Sequence, residues 1–285
     1  MRPDPRFSGA GRSFWAHVKL ISESVGYSGR GRRGAALAPL RRYTAGDLAA
    51  GLAGASLEPT HLYDAARRSP TALGQQLLDY LNFRATLLES QVAPNLMDRD
   101  QAAAEFQRLR EELRPTCALP LNKQKGEKRH YAYLTGIVNM LTEKTLGGRS
   151  FDDEPRGLTI ITREHAPLRT LSRWMDGAYP TLVDPRAIWE VKEYYGTTTF
   201  GSRVADGVYE TMLDGEELAE LERSEGRKVL HYLILDDRFT WWQCGRSYLC
   251  RIVDMLHMGL VDEVVVGRGV LTRWPQIVQG WVDSA

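Results

Sequence analysis

The chain has 285 residues, 43% hydrophobic and 26% charged, a composition that fits a soluble globular protein of one large or two small domains. Its formal net charge of +1 gives no overall field for a polyanion, and no run approaches the ~20 apolar residues of a bilayer span, so no membrane partner is expected. The start of the chain does not read as a signal peptide. Cys117, Cys244 and Cys250 form no C-x-x-C, so reduced thiols in a cytoplasmic protein are expected.

The charge is unevenly spread. The first 45 residues carry nine Arg or Lys against Asp4 and Glu23, which reads as a basic arm beside an acidic remainder. Residues 1–12, rich in Pro, Gly and Arg, are expected to form a loose tail. Ser13 predicts the cap of a helix to about residue 25, with Phe14, Val18, Ile21 and Val25 at helical spacing. Residues 27–34 read Y-S-G-R-G-R-R-G. Arg30, Arg32 and Arg33 are candidates for contact with a nucleic-acid backbone or minor groove, against the alternative of a solvated loop.

Thr44 and Asp47 form a capping-box-like start for a helix to about residue 52, and Pro59 predicts a second short helix to about residue 67. The pair reads either as a helix-turn-helix DNA reader or as two ordinary packed helices. A long amphipathic helix is expected over 71–91, and another from Asp98 or Asp100 to about residue 113. Residues 121–129 (L-N-K-Q-K-G-E-K-R) form a second cationic patch, with Lys123 and Lys125 as candidate DNA contacts. A helix over 130–146 follows, with Glu143 near its end. The division expected is a mainly helical N-terminal region, 1–120, and a second unit, 121–285.

In that second unit the apolar patterning predicts short strands over 158–162, 171–175 and 187–195. A glycine- and threonine-rich loop, 196–201, leads into a helix over 202–223. Arg203 at its start is placed either to reach a phosphate or to pair with Asp206. Residues 228–235 (K-V-L-H-Y-L-I-L) read as a central strand buried on both faces. A helix over 246–258 and a strand over 262–266 complete the alternation, and Trp274 and Trp281 are expected to cover the core. The order implies an α/β fold: a mixed β-sheet flanked by helices, preceded by an N-terminal helical region.

Asp176 lies beside a glycine where a strand is expected to end. Fourteen positions later comes Glu190-Val191-Lys192, on a strand whose alternation puts Glu190 and Lys192 on one face and Trp189 and Val191 on the other. Two carboxylates and an ammonium converging on one volume suit a magnesium site, since two close carboxylates repel unless a cation joins them. Asp184 is a rival to Asp176, but it leaves little room for a turn between paired strands.

The pattern Asp176…Glu190-x-Lys192, with the surrounding order of elements, resembles the PD-(D/E)XK nuclease superfamily, which includes many restriction endonucleases. Met175 stands where the motif name has proline. The resemblance covers roughly the second half of the chain. It implies a restriction endonuclease-like core, Asp176 and Glu190 as ligands of Mg2+, and Lys192 as the residue assisting the attacking water. In that superfamily the first helix sometimes adds a carboxylate, which makes Glu143 a candidate third ligand or else a surface glutamate. The implied activity is a magnesium-dependent, Type II-like restriction endonuclease that cuts double-stranded DNA as a homodimer. The alternatives are a non-catalytic DNA-binding or regulatory protein on the same scaffold, or a nuclease subunit of a larger defence system.

Overall fold

The computed structural model describes residues 1–29, 37–66, 68–122, 130–195 and 202–283. Helices α1 (Arg12–Val25), α2 (Ala45–Ala53) and α3 (Ala72–Leu87) make up most of the first third, and α3 runs on into a π turn, Leu88–Val92. The carboxylate of Asp47 accepts from the Thr44 amide at 2.8 Å, so the capping start of α2 is present. Thr71 caps α3 through the Gly74 amide, and Asp98 caps α4 (Arg99–Leu113) through the Gln101 amide at 2.9 Å.

Two expectations for this region are overturned. The described residues of the expected 59–67 helix, 59–66, do not form one. Pro59 opens a turn, and a short hairpin pairs β1 (Tyr63–Asp64) with β2 (Ser69–Pro70). Ser69 precedes a proline, which disfavours helical backbone there and favours the extended form. The first twelve residues are not a loose tail either. Met1 exchanges backbone hydrogen bonds in both directions with Val264, Arg2 pairs with Glu263 at 3.1 Å, and Phe7 is buried against the rings of Tyr80, Phe83 and His257. The chain's start thus covers an otherwise open sheet edge.

Helix α5 (Tyr133–Leu146) leads into a hairpin, β3 (Ile160–Arg163) with β4 (Ala166–Thr170), and then into a four-stranded mixed sheet. Its order is β5 (Gly177–Tyr179), β6 (Ala187–Glu193), β7 (Leu230–Asp236) and β8 (Glu263–Val266), with β5 antiparallel and the rest parallel. The parallel pairs need long crossovers. Helices α6 (Ser202–Glu225) and α7 (Arg246–Met258) supply them. The last described element is α8 (Val270–Asp283), a helix where the sequence predicts only a tail covering the core.

Alternation along the strands splits the core. Trp189, Val191, Tyr232, Ile234 and Val265 face α5 and α8, with Phe106 and Leu109 of α4 on the same side. Leu233, Leu235, Val264 and Val266 face α6, α7 and the end of α3. Trp189, Trp274 and Trp281 pack with centroids 5.4–5.6 Å apart in stacked and edge-on pairs. Such pairs add about 0.5–1.5 kcal/mol each beyond the area they bury. Helix α5 begins three residues later than expected. The 171–175 stretch is a bend rather than a strand: it buries Leu171 and Met175 but sends Ser172 and Arg173 toward α6.

Candidate active site

The β5–β6 register sets the site. Gly177 pairs with Trp189, Ala178 with Ile188 and Tyr179 with Ala187, so one step further Asp176 faces Glu190 across the two strands. Asp176 is tied to β6 twice. Its amide donates to the Trp189 carbonyl at 3.1 Å, and its Oδ2 accepts from the Val191 amide at 2.7 Å. The approach depends on Gly177, because a Cβ there would lie 2.0 Å from the Trp189 indole.

Glu190 and Lys192 point to the α6 side, opposite Trp189 and Val191, as strand alternation requires. Lys192 Nζ lies 3.1 Å from Glu190 Oε2 and 2.9 Å from Glu210 Oε2 on α6. Helix α6 comes close at Gly207, where a Cβ would meet the Tyr194 hydroxyl at 2.8 Å and the Lys192 stem at 3.4 Å. Residues 210 and 214 are one turn apart on that face, so α6 brings both Glu210 and Asp214 to the site.

Arg173 completes the group, and no motif or spacing in the sequence singles it out. Its guanidinium pairs with Glu190 Oε1, reaches Asp214 Oδ2 at 2.7 Å and lies 3.3 Å from Glu210 Oε2. Four carboxyl groups and two cations therefore share one small volume. Glu190 and Asp214 are almost completely buried. The other oxygen of Asp214, Oδ1, is buried without a hydrogen-bond partner.

The electrostatics follow from this crowding. Burial, and next the charge of Glu190, push the Asp176 carboxyl well above its ordinary range, so it holds a proton and donates it to Glu190. Burial opposes ionisation of Glu190 as well, but Lys192 and Arg173 outweigh it and keep Glu190 charged. Asp214 is pushed up to about 7, chiefly by burial. Burial opposes the charge on the Lys192 ammonium most strongly, but Glu190, Asp176 and the hydrogen bond to Glu210 together outweigh it and hold the amine charged.

The remaining expected site residues lie apart. Glu143, offered as a third ligand, sits near the end of α5 and accepts from the Thr116 amide at 3.1 Å and from the Thr116 hydroxyl. It makes no contact with the Asp176–Glu190 pair, because its helix packs on the opposite face of the sheet. Asp184, the rival to Asp176, accepts from Thr162 and pairs with Arg227. Arg203 is exposed, and its carbonyl accepts from the Tyr194 hydroxyl at 3.1 Å. Arg30, Arg32, Arg33, Lys123 and Lys125 lie outside the described residues, as does the 196–201 loop.

A divalent cation is implied by the resemblance, and the donor set fits one. Mg2+ takes one or two carboxylates and keeps its other positions for water and substrate oxygens. Asp176 and Glu190 are such a pair, with a proton between them where a cation would relieve the repulsion. Among the described residues no group of three His, Cys, Asp or Glu side chains is gathered as a ligand cluster.

A family model described as "Domain of unknown function (DUF7687)" matches residues 97–281, well over half of the chain. The chain belongs to the DUF7687 family. A second model, "Domain of unknown function (DUF7690)", matches residues 1–91. All six residues of the acidic cluster fall inside the DUF7687 match. No curated protein and no solved structure matches the chain.

Proposed function

We propose that the protein is a magnesium-dependent endonuclease on a restriction endonuclease-like core, hydrolysing phosphodiester bonds in double-stranded DNA. The observation that carries the proposal is the register that sets Asp176 opposite Glu190, with Lys192 next on the same face. Asp176 and Glu190 would hold the Mg2+. When bound, the ion would acidify a water and steady the charge that builds on the phosphate. Lys192 offers a charged amine on a short tether beside Glu190, suited to orienting that water. The strand pair fixes all three backbones, so little reorganisation is left for the chemical step.

Cleavage of both strands at a symmetric site would favour a homodimer. Asp176→Ala is expected to abolish magnesium-dependent cutting of plasmid and phage DNA while leaving the fold intact by circular dichroism. Cleavage at the wild-type rate in that variant would sink the proposal. A second reading, a DNA-binding protein on the same scaffold without chemistry, is favoured by one feature: Arg173 already neutralises Glu190 and Asp214. It predicts a gel shift on DNA with no cleavage at any magnesium concentration.

A further inference from the structure

We propose that Arg173 is an internal counter-cation that competes with the divalent ion for Glu190; this inference rests on the metal-site reading above. Both oxygens of Glu190 are occupied, Oε1 by Arg173 and Oε2 by Lys192. An ion that takes Glu190 as a ligand together with Asp176 releases the proton that Asp176 shares with Glu190 and displaces one of these two cations. Lys192 shares strand β6 with Glu190 and is paired with Leu235 inside the parallel β6–β7 ladder, so its backbone is fixed. Arg173 lies on the bend between β4 and β5, outside any strand ladder. It is the side chain with room to leave.

Its destination is already built. Asp214 Oδ2 holds the same guanidinium nitrogen that touches Glu190, and Glu210 holds the other. Asp214 Oδ1 is buried beside them with no hydrogen-bond donor. A guanidinium that releases Glu190 gains a two-pronged pair with Asp214, the geometry that Arg–carboxylate contacts favour. Arg173 therefore moves from bridging two carboxylates to clamping one. The empty-handed site stays neutralised, and the loaded site keeps its arginine at the rim. Arg173 is a positioning residue in this account and touches no reacting atom.

The test is metal binding by the full chain, measured by titration calorimetry with Mg2+ and by electron paramagnetic resonance with Mn2+. Arg173→Met is expected to bind Mn2+ at least about tenfold more tightly than the wild type, the size of a typical coupling between two sites. Its melting temperature should fall in EDTA and recover on adding Mg2+ by more than the wild type gains. Arg173→Lys keeps the charge but loses the fork, and should fall between the two, which keeps the test available if the methionine variant folds poorly. Equal or weaker binding in both Arg173 variants, with Glu190→Gln losing the binding that the wild type shows, overturns the role of Arg173 and leaves the metal site standing. Binding that no variant shows overturns both.

Discussion

At the scale of single residues, the buried acids decide how the protein answers to pH. Asp236 ends β7 and is fully buried. Its Oδ1 accepts from the Met97 and Asp237 amides, and its Oδ2 from the Tyr195 hydroxyl at 2.5 Å. Burial outweighs those hydrogen bonds and pushes its carboxyl up to about 7. Between the ordinary carboxylate range and 7 the folded chain keeps a proton that the unfolded chain has released. The contribution of Asp236 to stability is therefore full below the ordinary carboxylate range and falls as pH rises through that window, by at most about 4 kcal/mol over roughly three pH units. Asp236→Asn should flatten this fall in urea titrations from pH 4 to 7.5 with EDTA present. Identical slopes in the two proteins would mean that Asp236 titrates normally in the fold. The grouping of Glu190 and Lys192 was legible in the sequence because alternation on one strand puts them on one face, and a paired strand ending at Gly177 brings Asp176 opposite Glu190. Arg173 and Asp214 were not, because their partners are set by tertiary packing across 17 and 41 positions. The one local signal was the acid pair Glu210 and Asp214, one turn apart on the helix that follows the site.

At the scale of elements, the site depends on how closely β5 lies on β6. Gly177→Ala would set a methyl against the Trp189 indole, an overpacking that costs typically about 1–3 kcal/mol. The damage should reach Asp176, its chain neighbour, more than Lys192. The expected result is a lowered melting temperature and a loss of metal affinity larger than the stability loss alone accounts for. Unchanged calorimetric binding would separate Gly177 from the site. The strands β6, β7 and β8 and helix α7 were readable to within a residue or two, since each is a continuous apolar or amphipathic run. The 171–175 bend misled because Leu171 and Met175 are buried on a segment that makes no ladder. Helix α8 carries Pro275 within it, a residue that reads as a helix breaker when the packing of its tryptophans is not visible.

At the scale of the molecule, the two family-matched segments share one core. The end of α3 and its π turn supply Ala85, Leu87, Leu88 and Val92 to the cluster under β7, β8 and α7. Arg84, almost completely buried, holds both oxygens of Asp254 on α7 and the Ser22 hydroxyl on α1. A chain trimmed to residues 97–285 would expose that apolar face and leave Asp254 without its cation. It should be insoluble or unfolded by circular dichroism, whereas a soluble fragment with a cooperative melt would show that the second segment folds alone. The basic character of the first 45 residues is also smaller in the fold than in the sequence. Arg2, Arg6, Arg41 and Arg42 pair with Glu263, Asp4, Asp47 and Glu89. Counting charge along a chain cannot anticipate that, because it does not see which acids the fold brings alongside.

The placement of tryptophan gives the molecule a built-in optical probe. Five of its seven tryptophans, Trp15, Trp189, Trp241, Trp274 and Trp281, are buried, and Trp242 is half-buried. Trp174 alone stands well out in water, 55% exposed, next in the chain to Arg173. Its emission can be selected by exciting at the red edge or subtracted by iodide quenching, without any label. A shift in that component alone would report the bend that carries the arginine, while the buried indoles serve as an internal reference for the rest of the fold.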